Sequence, residues 1–215
     1  MFDRDIDNHL GTQGGQLLNQ DRYAKDGNGD AFGSRSWLIA NALKPNDLLG
    51  ISMSRPEIFG DALHRFLMEG SRRMGCMNAV CEDQMLPENR VELTRERDAF
   101  GVPRARVSYR VSADARRLAA QAGDEGLRIM KAAGAREAWH GPTNPMHIMG
   151  GTLMGRDADT SVSNADAQTH EIANLLIGGS GLFPSTSAVN PTFTVHALAL
   201  KSARFIERHF AALAV

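Results

Sequence analysis

Residues 174–200 constrain the fold more than any other stretch of this 215-residue chain. A short, largely apolar run, Asn174–Ile177, stops abruptly at Gly178-Gly179-Ser180-Gly181, and Phe193–Leu200 is then apolar almost all round. The first pattern predicts a strand ended by a glycine turn. The second predicts a helix covered on every side, because a helix without a polar face is a buried one. Both demand surroundings: a strand needs partners for its N–H and C=O groups, and an all-apolar helix needs cover. Lys201, Arg204, Glu207 and Arg208 return the helix to solvent.

Upstream the signals differ. Residues 1–35 are polar and rich in glycine (Gly11, Gly14, Gly15, Gly27, Gly29, Gly33), which predicts irregular surface loops. Lys44-Pro45-Asn46-Asp47 reads as punctuation, and Arg55-Pro56-Glu57 as a helix start with proline in the first turn. Phe59, Leu63, Phe66, Leu67 and Met74 then recur at helical spacing up to Gly75. The runs Cys76–Cys81, Arg90–Thr94 and Ala105–Tyr109 are separated by Pro87-Glu88-Asn89 and by Asp98–Pro103. They predict antiparallel strands joined by hairpin-like turns. Ser112 can cap a long helix through Ala133, with Leu118, Ala122, Ile129 and Met130 on one face and Gly134 as the glycine that ends it. The fold class is therefore α+β: an antiparallel sheet with helices on it, then a strand–helix segment of a different kind. Twenty-one glycines and 6% aromatic residues suit this better than a helical bundle.

Several function classes are disfavoured at once. A formal net charge of −1 leaves no basic stripe for nucleic acid. No apolar run approaches the roughly 18 residues that span a bilayer, and Met1-Phe2-Asp3-Arg4-Asp5 opens no secretory signal. Extended chain would hold the Cα atoms of Cys76 and Cys81 roughly 16 Å apart, beyond the ~7 Å reach of a disulfide, so both read as free, mostly buried thiols. The other histidines (His9, His64, His140, His170, His196, His209) show no metal-ligand spacing with the cysteines or acids, so no metal site is expected. His196 lies in the predicted buried helix and reads as a satisfied core histidine. Asp157 and Asp159 read as a solvated turn. The glycine cluster is not a phosphate loop, since no Gly-Lys-Ser/Thr follows, and Gly178-Gly179-Ser180-Gly181-Leu182 lacks the closing glycine of a nucleophile elbow.

What chemistry the last third can do depends on two motifs. His147-Ile148-Met149-Gly150-Gly151-Thr152 closes in Met154-Gly155, and Gly178–Gly181 leads through Phe183-Pro184-Ser185 to Asn190-Pro191-Thr192. His147 offers a base, because an unperturbed imidazole titrates at about 6.5, near working pH. Asn190 offers a donor to an oxygen on which charge develops. Glycines at 150–151 let backbone approach a flat ring that a Cβ would hold off. Each motif alone also has a plain reading: a loop histidine, a strand-ending turn, a helix cap.

Order and spacing go further. The series His147, Gly150, Thr152, Met154-Gly155, Val162-Ser163-Asn164, Ile177-Gly178-Gly179-Ser180, Phe183-Pro184-Ser185 and Asn190-Pro191-Thr192 resembles the C-terminal signature of the glucose–methanol–choline (GMC) family. Its members are FAD-dependent oxidoreductases. The match is strong over about 145–210. It is weaker upstream, through Asn41-Ala42-Leu43-Lys44-Pro45-Asn46-Asp47 and Leu86–Phe100, which look like the substrate domain of bacterial members.

The resemblance implies oxidation of a CH–OH group of a sugar, polyol or sugar acid by hydride transfer to FAD. It places His147 as the general base and Asn190 as its partner on the oxygen. Gly178 and Gly179 would lie beside the cofactor, and Pro191-Thr192 would bring backbone amides to the pyrimidine edge of the flavin, where a helix N-terminus stabilises negative charge. Residues 1–145 then look like a partial substrate-binding domain, and 146–215 like the segment that completes the FAD-binding α/β domain. The family's G-x-G-x-x-G for the ADP end of FAD does not occur in this sequence. The expectation is thus the catalytic-residue-bearing part of such an enzyme, inactive by itself. A non-catalytic subunit that keeps the fold without flavin is the alternative. Asn190 in place of His looks like bacterial gluconate, sorbitol or glucose dehydrogenases, which implies a cytochrome or quinone acceptor. Family members are cytoplasmic or periplasmic, and this sequence does not choose between them.

Overall fold

The computed structural model describes the chain apart from residues 8–9, 11–15, 41–42, 142, 146 and 214–215, and apart from the side chains of residues 16, 40 and 45. Gly11, Gly14, Gly15, His9, Asn41 and Ala42 therefore lie outside the described residues. The chain divides into two compact units, Met1–Glu82 with Ala115–Asn144, and Asp83–Asp114 with Pro145–Val215. Residues 83–114 thus share a unit with the C-terminal segment.

The first unit is built on a three-stranded antiparallel sheet in the order β1 (Gln16–Asn19), β2 (Arg35–Ala40), β3 (Asn78–Cys81). This corrects the reading of residues 1–35 as wholly irregular, and it pairs β3 with β2, not with the strand that follows it in sequence. Strand β2 escaped notice because, Trp37 apart, the buried residues at its start are polar. Ser34, Arg35 and Ser36 are all buried. Each of the charges this buries has partners, as the cost of a bare buried charge requires. Glu82 accepts from Ser34 N (3.0 Å), Ser34 Oγ (2.8 Å) and Lys25 Nζ (2.6 Å). Arg35 pairs with Glu125 (2.7 Å) and donates to Asn28 Oδ1 (3.2 Å). Asn28 in turn donates to the carbonyls of Arg22, Ala24 and Gly33, which orders the loop between β1 and β2.

Helix α1 (Pro45–Ser52) occupies what reads as punctuation. Proline suits the first helical position, and Asp47 Oδ2 accepts from Lys44 N at 2.9 Å. Helix α2 spans Asp61–Arg73, so Pro56 lies in a turn ahead of it and not in its first turn. Phe66 on α2 joins Met1, Leu43, Leu48 and Met74 in the core. Its ring lies 6.0 Å from that of Trp139, over which the Arg55 guanidinium lies at 4.9 Å.

Helix α3 (Ala113–Ala132) matches the predicted span within a residue. Ala115, Leu118 and Ala122 are buried, and Gly134 takes φ +89°, the left-handed turn that closes a helix. It packs against β2 at Gly126, where an added Cβ would lie 2.7 Å from the Trp37 ring. The unit is thus α+β, as expected.

In the second unit, β4 (Arg90–Arg97) and β5 (Pro103–Ser108) form an antiparallel hairpin. Asp98 Oδ1 accepts from Phe100 N and Val102 N and shapes its turn, with Gly101 at φ +78°. Both strands run longer than predicted. The strand expected over 174–177 is not formed: residues 173–174 are in a turn, and only Leu176 makes a bridge, to Gln168. No neighbouring strand of the described residues offers this short run a ladder. Helix α4 (Thr192–Leu213) starts where predicted but has no buried residue, against the expectation of cover on every side. Phe193 is 91% exposed and Phe210 66%. His196 is likewise exposed and not a core histidine.

Candidate active site

The site is assembled from loops of the second unit. His147 stands exposed at φ +54°, a left-handed conformation that side chains rarely adopt. From there the chain runs to Met154 alongside the short helical turn at Ser180–Leu182. Gly150 N donates to Ser180 O (3.0 Å), Thr152 N to Gly181 O (3.1 Å) and Met154 N to Leu182 O (2.9 Å). Three consecutive carbonyls thus receive three alternate amides, and the two sequence motifs become one backbone structure. Leu182 is buried beneath it.

The glycines divide into two kinds. At Gly150 (φ +86°) an added Cβ would lie 2.9 Å from Met85 Sδ, and at Gly181 it would lie 2.5 Å from Thr152 Oγ1. These two serve internal packing, which corrects the reading of Gly150 as a place for a ring. At Gly151, Gly178 and Gly179 nothing lies within 4 Å of an added Cβ. Backbone there faces open space, with Gly179 at φ +92°. Beside Gly178, an apolar groove of about 270 Å³ runs between Leu176, Ile177 and Leu182 and the α4 residues Ala199, Ala203 and Ile206.

Asn190 is exposed just ahead of α4. Pro191 O accepts from Val195 N (3.0 Å), so Pro191 caps the helix and Thr192 is its first residue. Proline has no N–H, so the first donor at this end is Thr192 N and not Pro191. The amides of the first turn have no intrahelical acceptor and carry the positive end of the helix dipole. The loop that holds Asn190 is tied down at Thr186, whose Oγ1 accepts from Asp83 N (2.9 Å) and donates to Asp83 O (3.0 Å). Asp83 is itself fixed: its carboxylate accepts from Ser112 N (3.0 Å) and Tyr109 OH (2.9 Å). Burial and that bond to Asp83 raise the Tyr109 pKa. Asp83 and Thr186 escape a reading of the sequence, because no local signal couples residues 103 positions apart.

Other polar groups are structural. Asn164 Oδ1 accepts from Asp166 N (2.9 Å) and Gln168 N (3.2 Å), which makes the Val162-Ser163-Asn164 motif a side-chain-closed turn. Ser161 Oγ donates to Asp157 O (2.5 Å), so its 3.0 Å contact with His170 Nε2 takes the ring's proton and is no nucleophile–base pair. Asp157 and Asp159 form the expected exposed turn. Cys76 and Cys81 are free; burial raises both thiols, Cys81 to about 11. Among the described residues no group of three His, Cys, Asp or Glu could share a metal ion.

The sequence profile of GMC oxidoreductases matches residues 86–199. That is more than half of the chain, and it includes the hairpin, α3, His147, both glycine turns and Asn190. The chain belongs to the GMC oxidoreductase family. Members of this family are generally flavoproteins. Curated relatives agree with the assignment. The fructose dehydrogenase large subunit of Gluconobacter japonicus is 36% identical over 120 residues, 54% of this chain and 22% of that protein. The C-glycoside 3-oxidase of Arthrobacter globiformis is 33% identical over 136 residues, 60% and 26% of the two chains. The 2-methyl-1,2-propanediol dehydrogenase of Mycolicibacterium austroafricanum is 34% identical over 134 residues, 60% and 24%. This GMC chain therefore spans about a quarter of the length of the relatives it matches. No helix among its described residues is long and apolar enough to cross a membrane.

Proposed function

We propose that this chain supplies the substrate-side catalytic residues of an FAD-dependent oxidoreductase that oxidises a CH–OH group of a sugar, polyol or sugar acid. One observation carries the reading. The His147–Met154 stretch is bonded amide by amide to the Ser180–Leu182 turn, beside backbone at Gly178 and Gly179 that faces open space. A flat ring can approach such backbone, and the free amides of the α4 N-terminus suit its electron-rich edge. The residues present thus fit the flavin end of FAD: Gly178, Gly179 and the Pro191-Thr192 helix start would hold it. For the ADP end the sequence has no G-x-G-x-x-G. When bound, FAD supplies the hydride acceptor.

The chain's own groups do the rest. His147, exposed on its left-handed turn, takes the hydroxyl proton as the C–H bond breaks, a step worth about 10²–10⁴ in rate for a positioned base. Asn190 donates a hydrogen bond to the same oxygen and holds it as alkoxide character grows. Residues 1–145 act as part of a substrate-binding domain, and 146–215 complete an FAD-binding domain. Electrons leave to a cytochrome or quinone.

Two measurements test this. Chain 1–215 purified alone should carry no flavin absorbance and reduce no artificial acceptor; stoichiometric flavin would refute its dependence on a separate ADP-binding part. Residues 86–199 can also replace the matching segment of the Gluconobacter japonicus fructose dehydrogenase large subunit. In that chimera His147→Ala should lower kcat by about 10²–10⁴ with flavin retained. An unchanged kcat would rule out the base assignment and favour a non-catalytic module.

A further inference from the structure

One short segment reaches both loops that carry the proposed chemistry. Asp83 grips Thr186, four residues before Asn190, by two hydrogen bonds through one hydroxyl (2.9 and 3.0 Å). Met85, two residues on, fills the place beside Gly150 where a Cβ would lie 2.9 Å from its sulfur, three residues after His147. The segment is in turn anchored by the bonds of the Asp83 carboxylate to Ser112 N and Tyr109 OH. Asn190 itself is exposed, so its own side chain does not fix the loop. Ala188 is fully buried between the clamp and Asn190.

We propose that Thr186 is a positioning residue for the reaction: its two-way hydrogen bond to the Asp83 backbone fixes the loop that presents Asn190. The inference rests on Asn190 as the group that holds the substrate oxygen. A hydroxyl that accepts and donates at once locks both the distance and the rotation of the loop, which a one-way contact cannot do. Valine keeps the shape and removes both bonds; serine keeps both bonds and removes only a methyl group.

Amide hydrogen exchange in chain 1–215 reads the clamp without any turnover. Thr186→Val should speed exchange across residues 184–193 about tenfold, the equivalent of one net hydrogen bond, and Thr186→Ser should restore it. Exchange across 150–154, held by its own backbone bonds, should not change. Unaltered exchange at 184–193 in the valine variant overturns the clamp, whatever Asn190 does. In a flavin-loaded chimera that carries residues 83–199, and so Asp83 as well as Thr186, Thr186→Val should lower kcat about tenfold with little change in KM, and the loss should vanish in an Asn190→Ala background. An equal loss in both backgrounds overturns the positioning role. If Asn190→Ala alone leaves kcat unchanged, the oxygen-holding role of Asn190 fails, and with it the catalytic half of this inference; exchange still decides the clamp.

Discussion

The two units hold themselves together by different means. In the first, Met1, Leu43, Leu48, Phe66 and Met74 form a core, Trp37 seats on α3, and the buried Glu82 and Arg35 each face an opposite charge. In the second, Leu182 is the one large side chain fully buried among the described residues, with Ala167 and Ala188 the buried small ones. Helix α4 buries none of its residues. On the β4–β5 hairpin, Val91 and Leu93 face Val107 and Ala105 across the ladder on one side, and all four are exposed. Order in this unit comes from hydrogen bonds: the amide series onto Ser180–Leu182, the Asn164 turn and the Asp83–Thr186 clamp. The first unit thus carries its own core, while the second relies on hydrogen-bonded loops; both leave large apolar side chains bare, Met53 and Phe59 in the first, Phe193 and Phe210 in the second. Apolar surface of that kind marks contact with other protein. In the proposed function that of the second unit is where the remainder of an FAD-binding domain would lie.

Truncations break the comparison most directly. Leu118→Ala in α3, at a site with no exposure, should cost about 2–5 kcal/mol of stability. Phe193→Ala in α4, a larger deletion, should shift stability of this chain by less than about 0.5 kcal/mol. Chemical denaturation followed by circular dichroism measures both. A Phe193→Ala cost equal to that of Leu118→Ala would mean that α4 is covered in solution, by a second copy or by a part of the chain. Smaller effects should follow from the glycines. Gly126→Ala pushes a methyl group to within 2.7 Å of Trp37 and should cost about 1–3 kcal/mol. Gly178→Ala meets open space and should be nearly silent in the melting curve of the chain alone. It should show instead in flavin retention by the chimera.

What the sequence reveals follows the same division of forces. Local signals were sufficient for α3, where Ser112 and Gly134 bracket an amphipathic run, and for the β4–β5 hairpin, where Asp98–Pro103 announces a turn. They also located the start of α4 at Asn190-Pro191-Thr192. They failed where the deciding partner is distant. Strand β2 hides because Ser34 and Arg35 look solvated until Glu82 and Glu125 are set against them. Asn174–Ile177 looks like a strand because apolar residues prefer one, yet a strand exists only with a ladder to join. The helix at Pro45 was obscured by a residue that breaks helices everywhere except at their first turn.

The reactivity of Cys81 sharpens the first unit's side of the comparison. Burial raises Cys81 to about 11, so at pH 8 only about one thiol in a thousand is ionised, against about one in ten for a group at the ordinary 9.0. The thiolate is the reactive form, and the stronger nucleophilicity of a higher-pKa thiolate offsets part of its scarcity, so native Cys81 should react with a disulfide reagent about tenfold more slowly than the same residue in denatured chain. The sign sets the pH dependence of stability as well. The folded pKa lies above the unfolded one, so the stability linked to this thiol is complete below about pH 9 and is lost as pH rises toward 11. A labelling rate equal to that of unfolded chain at pH 8 would show that β3 opens readily. The first unit would then be held no more tightly than the second, and the contrast between a cored and an uncored half would fail.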